Sequence, residues 1–411
     1  MRWILVAMTV FASLAAADEQ EIDATTIHGK ALCGYQGWFR CPGDELNTGW
    51  VHWSRESKRI APDTLTFEMW PDMSEYRSAA RCGVEGFTYP DGKPAELYSS
   101  EGREVVLRHF SWMAEYGLHG VWLQRFLVGL PEGPEGAAMY ESHKRVLEQV
   151  RLAARATGRV WAVAYDMAAM PPDKIVGALT NDWKRLVDAG VTNDKRYLHE
   201  KGLPVLMVWG FYPKQNITAE IANRIIDFFK NDPKYRVFLA GGCEWEWRTE
   251  TTPGWPGFFR RFDLICPWNV GNYSVDKEGN KYASTNYWRA DAEEAECAGM
   301  LYLPVLYPGF SWDNRKRLRP GRSVIERQGG RFFWKQFCAA ADLGLDMGYV
   351  AMFDEVDEGT AIYKVTSTPP VQAHFAGYEG LPSDWYLRLA GEGTRMLLKQ
   401  RPFTAELPIR P

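Results

Sequence analysis

The chain runs to 411 residues with 48 Lys and Arg against 52 Asp and Glu, a net charge of -4, and is 46% hydrophobic and 14% aromatic with 18 Trp. With no basic excess and no Lys/Arg cluster that marks a nucleic-acid surface, nucleic acid is not expected as a partner. A chain of this length buries a core that needs no disulfide staples.

The N-terminus has Arg2, an apolar run from Trp3 to Leu14 and the small-residue ending Ala15-Ala16-Ala17 before Asp18. This reads as a secretory signal peptide over residues 1–17, too short to span a bilayer and absent from the mature fold. The mature chain, 18–411, is therefore expected to be secreted or periplasmic. No later stretch approaches eighteen uninterrupted apolar residues, so no membrane span is expected.

Eight short apolar runs follow, at 31–39, 119–124, 160–165, 203–209, 236–240, 264–268, 301–306 and 347–353. Runs of this kind read as strands buried on both faces. Amphipathic segments lie between them. Val106, Phe110 and Met113 share a helical face before Gly117, and Leu147, Val150 and Ala154 share another before Gly158. Pro172 with Asp173 opens a third helix; Ile217, Ile221, Ile225 and Phe228 mark a fourth, 284–297 a fifth, and Phe333, Phe337 and Ala340 a sixth. Residues 381–400 read as a closing helix, with Ser383 or Asp384 near its N-cap and Leu387, Leu389 and Leu397 for burial. The alternation predicts an α/β fold, a (β/α)8 TIM barrel in a single domain with a long loop after strand one. That loop, roughly sixty residues, holds the aromatic and acidic segments 49–53 and 68–76, a composition that favours function over disorder.

Seven cysteines leave at least one thiol free or paired between chains. Cys41 and Cys82 flank loop-like sequence and can bridge in an oxidising compartment; the others look like packing thiols. There is no CxxC, HExxH or HxH, so neither a zinc site nor a cofactor is expected, and the acidic segments match no EF-hand spacing.

The last strand run ends in four carboxylates within five positions, Asp354, Glu355, Asp357 and Glu358. In a parallel barrel the C-terminal strand ends carry the chemistry. The other predicted ends supply Tyr35, Gln36 and Trp38; Gln124 and Arg125; Tyr165 and Asp166; Trp209 and Tyr212; Glu244 and Trp245; Trp268 and Asn269; Tyr307 and Trp312. Carboxylates, amides and aromatic plates on one rim suit a sugar, whose hydroxyls need polar partners and whose C–H faces stack on rings. Cleaving a glycosidic bond takes a carboxylic acid for the leaving oxygen and usually a second carboxylate. Glu355 and Glu358, three apart on a tight loop, repel when both ionise, so one is expected to hold a proton near neutral pH. Tyr35, Trp38, Asp166, Trp209, Glu244, Tyr307 and Trp312 are the expected substrate contacts. Glu244 and Glu246 either line the cleft or pair with Arg248, while His52 and Arg125 lean toward local roles.

The segment Phe-Asp-Glu-Val-Asp-Glu-Gly-Thr-Ala-Ile at 353–362 resembles the motif of glycoside hydrolase family 99 and the related family 71/99-like proteins, Asn-Glu-Trp-His-Glu-Gly-Thr-Gln-Ile. Gly-Tyr-Gln-Gly-Trp at 34–38 and Tyr-Pro-Gly-Phe at 307–310 are similar to that group too. The resemblance implies a (β/α)8 barrel and a retaining endo-α-mannosidase or endo-α-mannanase. It implies that Glu355 deprotonates the substrate 2-hydroxyl, which attacks the anomeric carbon to give a 1,2-anhydro sugar. Glu358 would then protonate the leaving group and afterwards activate water. Asp354, Val356, Asp357 and Ala361 depart from the motif, so the sugar-contacting surface differs. The expectation is an exported glycoside hydrolase, monomeric, acting on an α-linked glycan. An α-glucan-type hydrolase using Asp166 with Glu358 and an inert carbohydrate-binding barrel stay open as alternatives.

Overall fold

The strands that build the centre of the molecule are buried along nearly their whole length, as parallel strands covered on both faces must be. In the computed structural model, which describes residues 21–213 and 217–411, they are β1 (Ala31–Tyr35), β2 (Gly120–Phe126), β3 (Val160–Asp166), β4 (Leu203–Phe211), β5 (Phe238–Glu244), β6 (Leu264–Trp268), β7 (Leu301–Tyr302 and Val305–Leu306) and β8 (Gly348–Val350). The signal-peptide reading of residues 1–17 lies outside the described residues.

All eight are parallel in the order of the chain, and β1 pairs with both β2 and β8, Leu32 opposite Gly120 and Ala31 opposite Gly348. Closure passes through β7. Its first piece pairs with β6, Leu301 opposite Leu264, and its second with β8, Val305 opposite Tyr349. Pro304 has no N–H to give, which splits the strand, yet its carbonyl still accepts from Tyr349 N at 2.9 Å. The result is the expected (β/α)8 barrel.

The outer helices are α1 (Arg103–Tyr116), α2 (Gly136–Thr157), α3 (Pro172–Asp188), α4 (Ala219–Asn231), α5 (Trp288–Cys297), α6 (Arg331–Asp342) and α7 (Trp385–Leu397). Gly117 ends α1 at φ 79° and Gly158 ends α2 at φ 69°, left-handed values that favour glycine. Boundaries move where capping decides them. The fourth helix starts at Ala219 and not Ile217, because the Thr218 hydroxyl accepts Ile221 N at 3.2 Å. Between β5 and β6 no helix forms; two 3-10 turns, Trp247–Thr249 and Phe259–Arg261, are packed instead by Trp255 and Phe258, 5.0 Å apart.

The long loop after β1 is ordered over the barrel rim. A Cys41–Cys82 disulfide ties its start to a hairpin, Cys82–Thr88 with Pro94–Leu97. Its middle bonds to the chain after β8: Glu68 N donates to Val356 O at 2.8 Å and Thr366 N to Trp70 O at 3.0 Å. Cys33, Cys243 and Cys266 are buried packing thiols as expected, whereas Cys297 is exposed at the end of α5. Among the described residues no helix is long and apolar enough to cross a membrane.

Candidate active site

After β8 the chain folds into a tight loop whose ends meet at one carbonyl: Glu355 O accepts Thr360 N at 3.1 Å and Ala361 N at 3.0 Å. Gly359 makes the turn possible. It sits at φ 61°, and a Cβ there would lie 3.0 Å from the Ser311 backbone nitrogen. The loop is fastened from three sides, by Glu68 N to Val356 O, by Ser311 N to Glu358 O at 2.9 Å, and by the buried Arg327, which gives Nη2 to Gly359 O and Ala361 O at 2.7 Å each. Glu355 and Glu358 therefore stand on a rigid support.

They open into a cleft of about 660 Å³ at the C-terminal ends of the strands. Trp38, Asp166, Trp209 and Trp312 line it with them, as expected of that rim. Gln36 donates Nε2 to Glu355 Oε2 at 2.8 Å. Asp354 lies beneath, fully buried, and binds strand one to strand eight by accepting Gln36 N at 2.8 Å and Gly37 N at 2.9 Å. Trp38 is held from behind by His52, stacked at 3.8 Å and 7°, and His52 Nδ1 lies 3.2 Å from Asp357 Oδ2. The same oxygen takes Arg315 Nη1 at 2.7 Å.

Burial dominates the electrostatics. It lifts the Glu355 carboxyl well above the usual carboxylate range, with the charges of Glu358 and Asp357 adding to the shift. Burial also carries Glu358 to about 7; Asp357 pushes the same way and the Arg315 guanidinium opposes it. The Trp312 indole N–H faces Glu358 without closing a hydrogen bond. Asp166 is raised to about 7, again by burial, against the hydrogen bond it accepts from Ala168 N at 2.7 Å and with the Glu358 charge adding to it. Three carboxyls in one cleft thus hold protons near neutral pH. Several polar atoms around them are turned from water and unpaired, namely Gln36 Oε1 and the indole N–H groups of Trp38, Trp209 and Trp312. Such groups suit a ligand rich in hydroxyls.

Tyr35, Glu244 and Tyr307 lie apart from the cleft lining. Strand alternation sends Tyr35 toward the helices, where it is buried with its hydroxyl 2.8 Å from His109 Nδ1. Tyr307 is buried too, its hydroxyl donating to Asn272 O at 2.8 Å and its ring packed 5.0 Å from Phe332. Glu244 closes β5 half-buried outside the lining, and Arg248 pairs with Asp291 at 3.0 Å. Arg125 likewise points outward, into a buried pair with Asp182 at 2.5 and 2.9 Å that Tyr165 joins at 2.7 Å.

Other cleft residues carry weak sequence signals. Tyr349 and Gln124, bonded at 2.7 Å, form the floor; the alternation within strands eight and two could have placed them. Phe126, Trp268 and Met207 complete the apolar walls. Arg315 could be found only by knowing that the loop after strand seven folds back on the acidic motif. Among the described residues no three or more His, Cys, Asp or Glu side chains are grouped to hold a metal ion.

No family model matches the chain, and no curated protein matches its sequence. Solved structures do. The GH99 endo-alpha-mannosidase from Bacteroides thetaiotaomicron is 15% identical over 91% of this chain and 99% of its own, with a TM-score of 0.65, and 0.64 for its complex with BIS-TRIS-propane. A glycoside hydrolase-like protein is 13% identical over 84% of this chain and 98% of its own, at a TM-score of 0.50. At these identities the likeness is one of fold, and this chain has the fold of the GH99 barrel.

Proposed function

We propose that the protein is a glycoside hydrolase that cleaves an α-linked glycan internally, with retention, at an α-mannoside. The observation that carries this is the pair Glu355 and Glu358, both pushed toward the protonated form on one rigid loop in an aromatic cleft. The productive state has one proton on the pair. In the reacting form Glu358 holds it and gives it to the leaving oxygen, while ionised Glu355, steadied by the Gln36 amide, takes the proton of the substrate 2-hydroxyl; because Glu355 is raised further than Glu358, this is the minor arrangement of the one-proton pair. That oxygen attacks the anomeric carbon as its bond to the leaving oxygen breaks, and the ring so formed is opened by water that Glu358 deprotonates while Glu355 returns its proton to O2. A manno sugar suits this route, since its axial 2-hydroxyl lies trans to an α-leaving group. The fold shared with a GH99 endo-alpha-mannosidase supports the same reading.

Asp166 favours a second reading. It faces the same cleft, holds its proton to about 7 and is coupled electrostatically to Glu358, the arrangement of a two-carboxylate glycosidase. A panel of α- and β-linked glycans, read by product size and anomer, tests both with variants. Glu358→Gln should lose turnover and keep glycan binding, and full activity in it would sink the assignment. Loss in Glu355→Ala with activity kept in Asp166→Ala selects the anhydro route; the reverse selects the second.

The Cys41–Cys82 bridge supports export to an oxidising compartment, with residues 1–17 as the signal. N-terminal sequencing of the mature protein tests it; a chain still starting at Met1 would count against it.

A further inference from the structure

The loop from Phe310 to Ile325 after β7 carries a basic face that the proposed chemistry does not use. Its neck is closed by a bridge in which Phe310 N gives to Ile325 O at 3.1 Å and Ile325 N to Phe310 O at 2.8 Å. Between residues 313 and 322 it has Arg315, Lys316, Arg317, Arg319 and Arg322 against a single carboxylate, Asp313. That carboxylate is buried and turned inward, accepting Gly321 N at 2.5 Å, Ser323 N at 2.8 Å and Ser323 Oγ at 2.7 Å. It fixes the loop and leaves the outer face cationic. Lys316, Arg317, Arg319 and Arg322 are exposed, and among the described residues none has a carboxylate within ion-pair distance.

This face meets the cleft. Lys316 Nζ lies 4.8 Å over the ring of Trp312, a cleft wall, and Arg315 lines the cleft itself. On the far side of the same helical turn, Asp313–Lys316, a hollow of about 360 Å³ is lined by Arg55 and Arg317 together with the carboxylates Asp63 and Asp313. Arg55 is anchored there by Nη2 bonds to Leu65 O at 2.8 Å and Asn314 O at 2.9 Å. Arg315 and Lys316 thus set positive charge at the mouth of the cleft in a chain whose net charge is -4. A low-dielectric rim of one sign attracts a ligand of the other.

We propose that the glycan carries anionic substituents, sulfate esters or carboxylates, and that Lys316, Arg317 and Arg319 receive them where the chain leaves the cleft. This rests on the glycosidase reading. The guanidinium forks suit either oxyanion, and Lys316 adds a point charge beside Trp312, over which a sugar ring can lie.

The test is binding to the intact Glu358→Gln protein, which avoids turnover. The probes are an α-mannan with free C6 hydroxyls and an α-1,4-glucan, each as the neutral polymer, after O-sulfation and after oxidation to C6 carboxylates. Three exposed contacts worth roughly twofold to threefold each predict about a tenfold tighter binding of an anionic form in low salt, fading severalfold at ten times the salt. Adding K316Q, R317Q and R319Q should erase that gain while leaving neutral binding and the near-UV spectrum unchanged. The better of the two anionic forms identifies the substituent. Equal binding of neutral and anionic forms, a gain that survives the triple change, or equally tight binding of a random DNA oligonucleotide would each overturn the proposal. The glycosidase reading is judged separately, by whether the unsubstituted Glu358 enzyme hydrolyses any glycan of the panel, neutral or charged.

Discussion

Glu68 and Arg315 are 247 residues apart in sequence, yet the buried Glu68 carboxylate accepts the Arg315 backbone N–H at 3.1 Å. The same carboxylate takes Asn314 N at 2.8 Å and the Ser311 hydroxyl at 2.8 Å. It thereby caps the short turn whose next element of function is the Arg315 guanidinium, 2.7 Å from Asp357 and facing Glu358. The long loop after β1 thus sets the charge beside the proposed acid.

Glu68→Ala leaves three donors without their acceptor, and each buried unpaired group costs about 1–3 kcal/mol, so a loss of about 2–4 kcal/mol is expected in urea unfolding after partial relaxation. Glu68→Gln keeps one acceptor oxygen and should fold with a smaller loss. In both, kcat should fall by about tenfold or more, because the turn positions the charge beside Glu358. An unchanged kcat in Glu68→Gln would show that Arg315 is placed by other contacts.

Arg315→Gln tests the electrostatics directly. A cation favours the ionised carboxyl, so its removal raises the Glu358 pKa above about 7. The proposed acid then stays protonated to higher pH, and the alkaline limb of kcat/KM should move up by about half a unit to one unit. A limb that stays in place or moves down would contradict Glu358 as the group that must be protonated.

The barrel was legible because its signal is repetitive: eight buried runs such as 160–165 and 264–268 map onto strands almost residue for residue. Ends were less so. Strand one stops at Tyr35 and strand eight at Val350, although the buried Phe353 beyond still gives its N–H to Gly34 O at 2.8 Å. Within the site, Trp38, Asp166, Trp209 and Trp312 reach the cleft because they sit at strand ends with the right parity or on the loop after β7. Tyr35 has the opposite parity and serves His109. Tyr307 depends on Asn272 and Phe332, 35 and 25 residues away, and Glu68 on contacts across more than two hundred residues, which no local pattern encodes.

Proton binding by the buried carboxyls also bears on stability. Glu358, Asp166 and Asp354 each rise from ordinary values of 4.5, 3.8 and 3.8 to about 7 on folding. Their folded values exceed the unfolded ones, so this contribution is full below pH about 4 and is lost as pH climbs through 7. Thermal unfolding should show a lower midpoint at pH 8 than at pH 5.5. Glu358→Gln removes one ionisation from that cost and should be more stable than the unsubstituted protein at pH 8 by about 1–3 kcal/mol, discounted for partial exposure. Equal midpoints at pH 8 would mean that the charged carboxylate is solvated better than its surroundings allow.

The Cys41–Cys82 bridge closes a loop with a sequence separation of 41, and that loop contains His52 and Glu68. Chain entropy assigns such a closure about 4 kcal/mol, less any structure the unfolded chain retains. A Cys41→Ser, Cys82→Ser variant should therefore unfold at markedly lower urea with an unchanged slope. Its effect on function should follow the same geometry. His52 supports Trp38 and Glu68 places Arg315, so loosening the loop acts on both walls of the cleft, lowering kcat and raising KM together. Titration with a reductant, read in parallel by activity and by near-UV signal, checks this. If activity survives full reduction, the hydrogen bonds from Glu68 to Val356 and from Thr366 to Trp70 hold the loop unaided, and the bridge serves the hairpin alone.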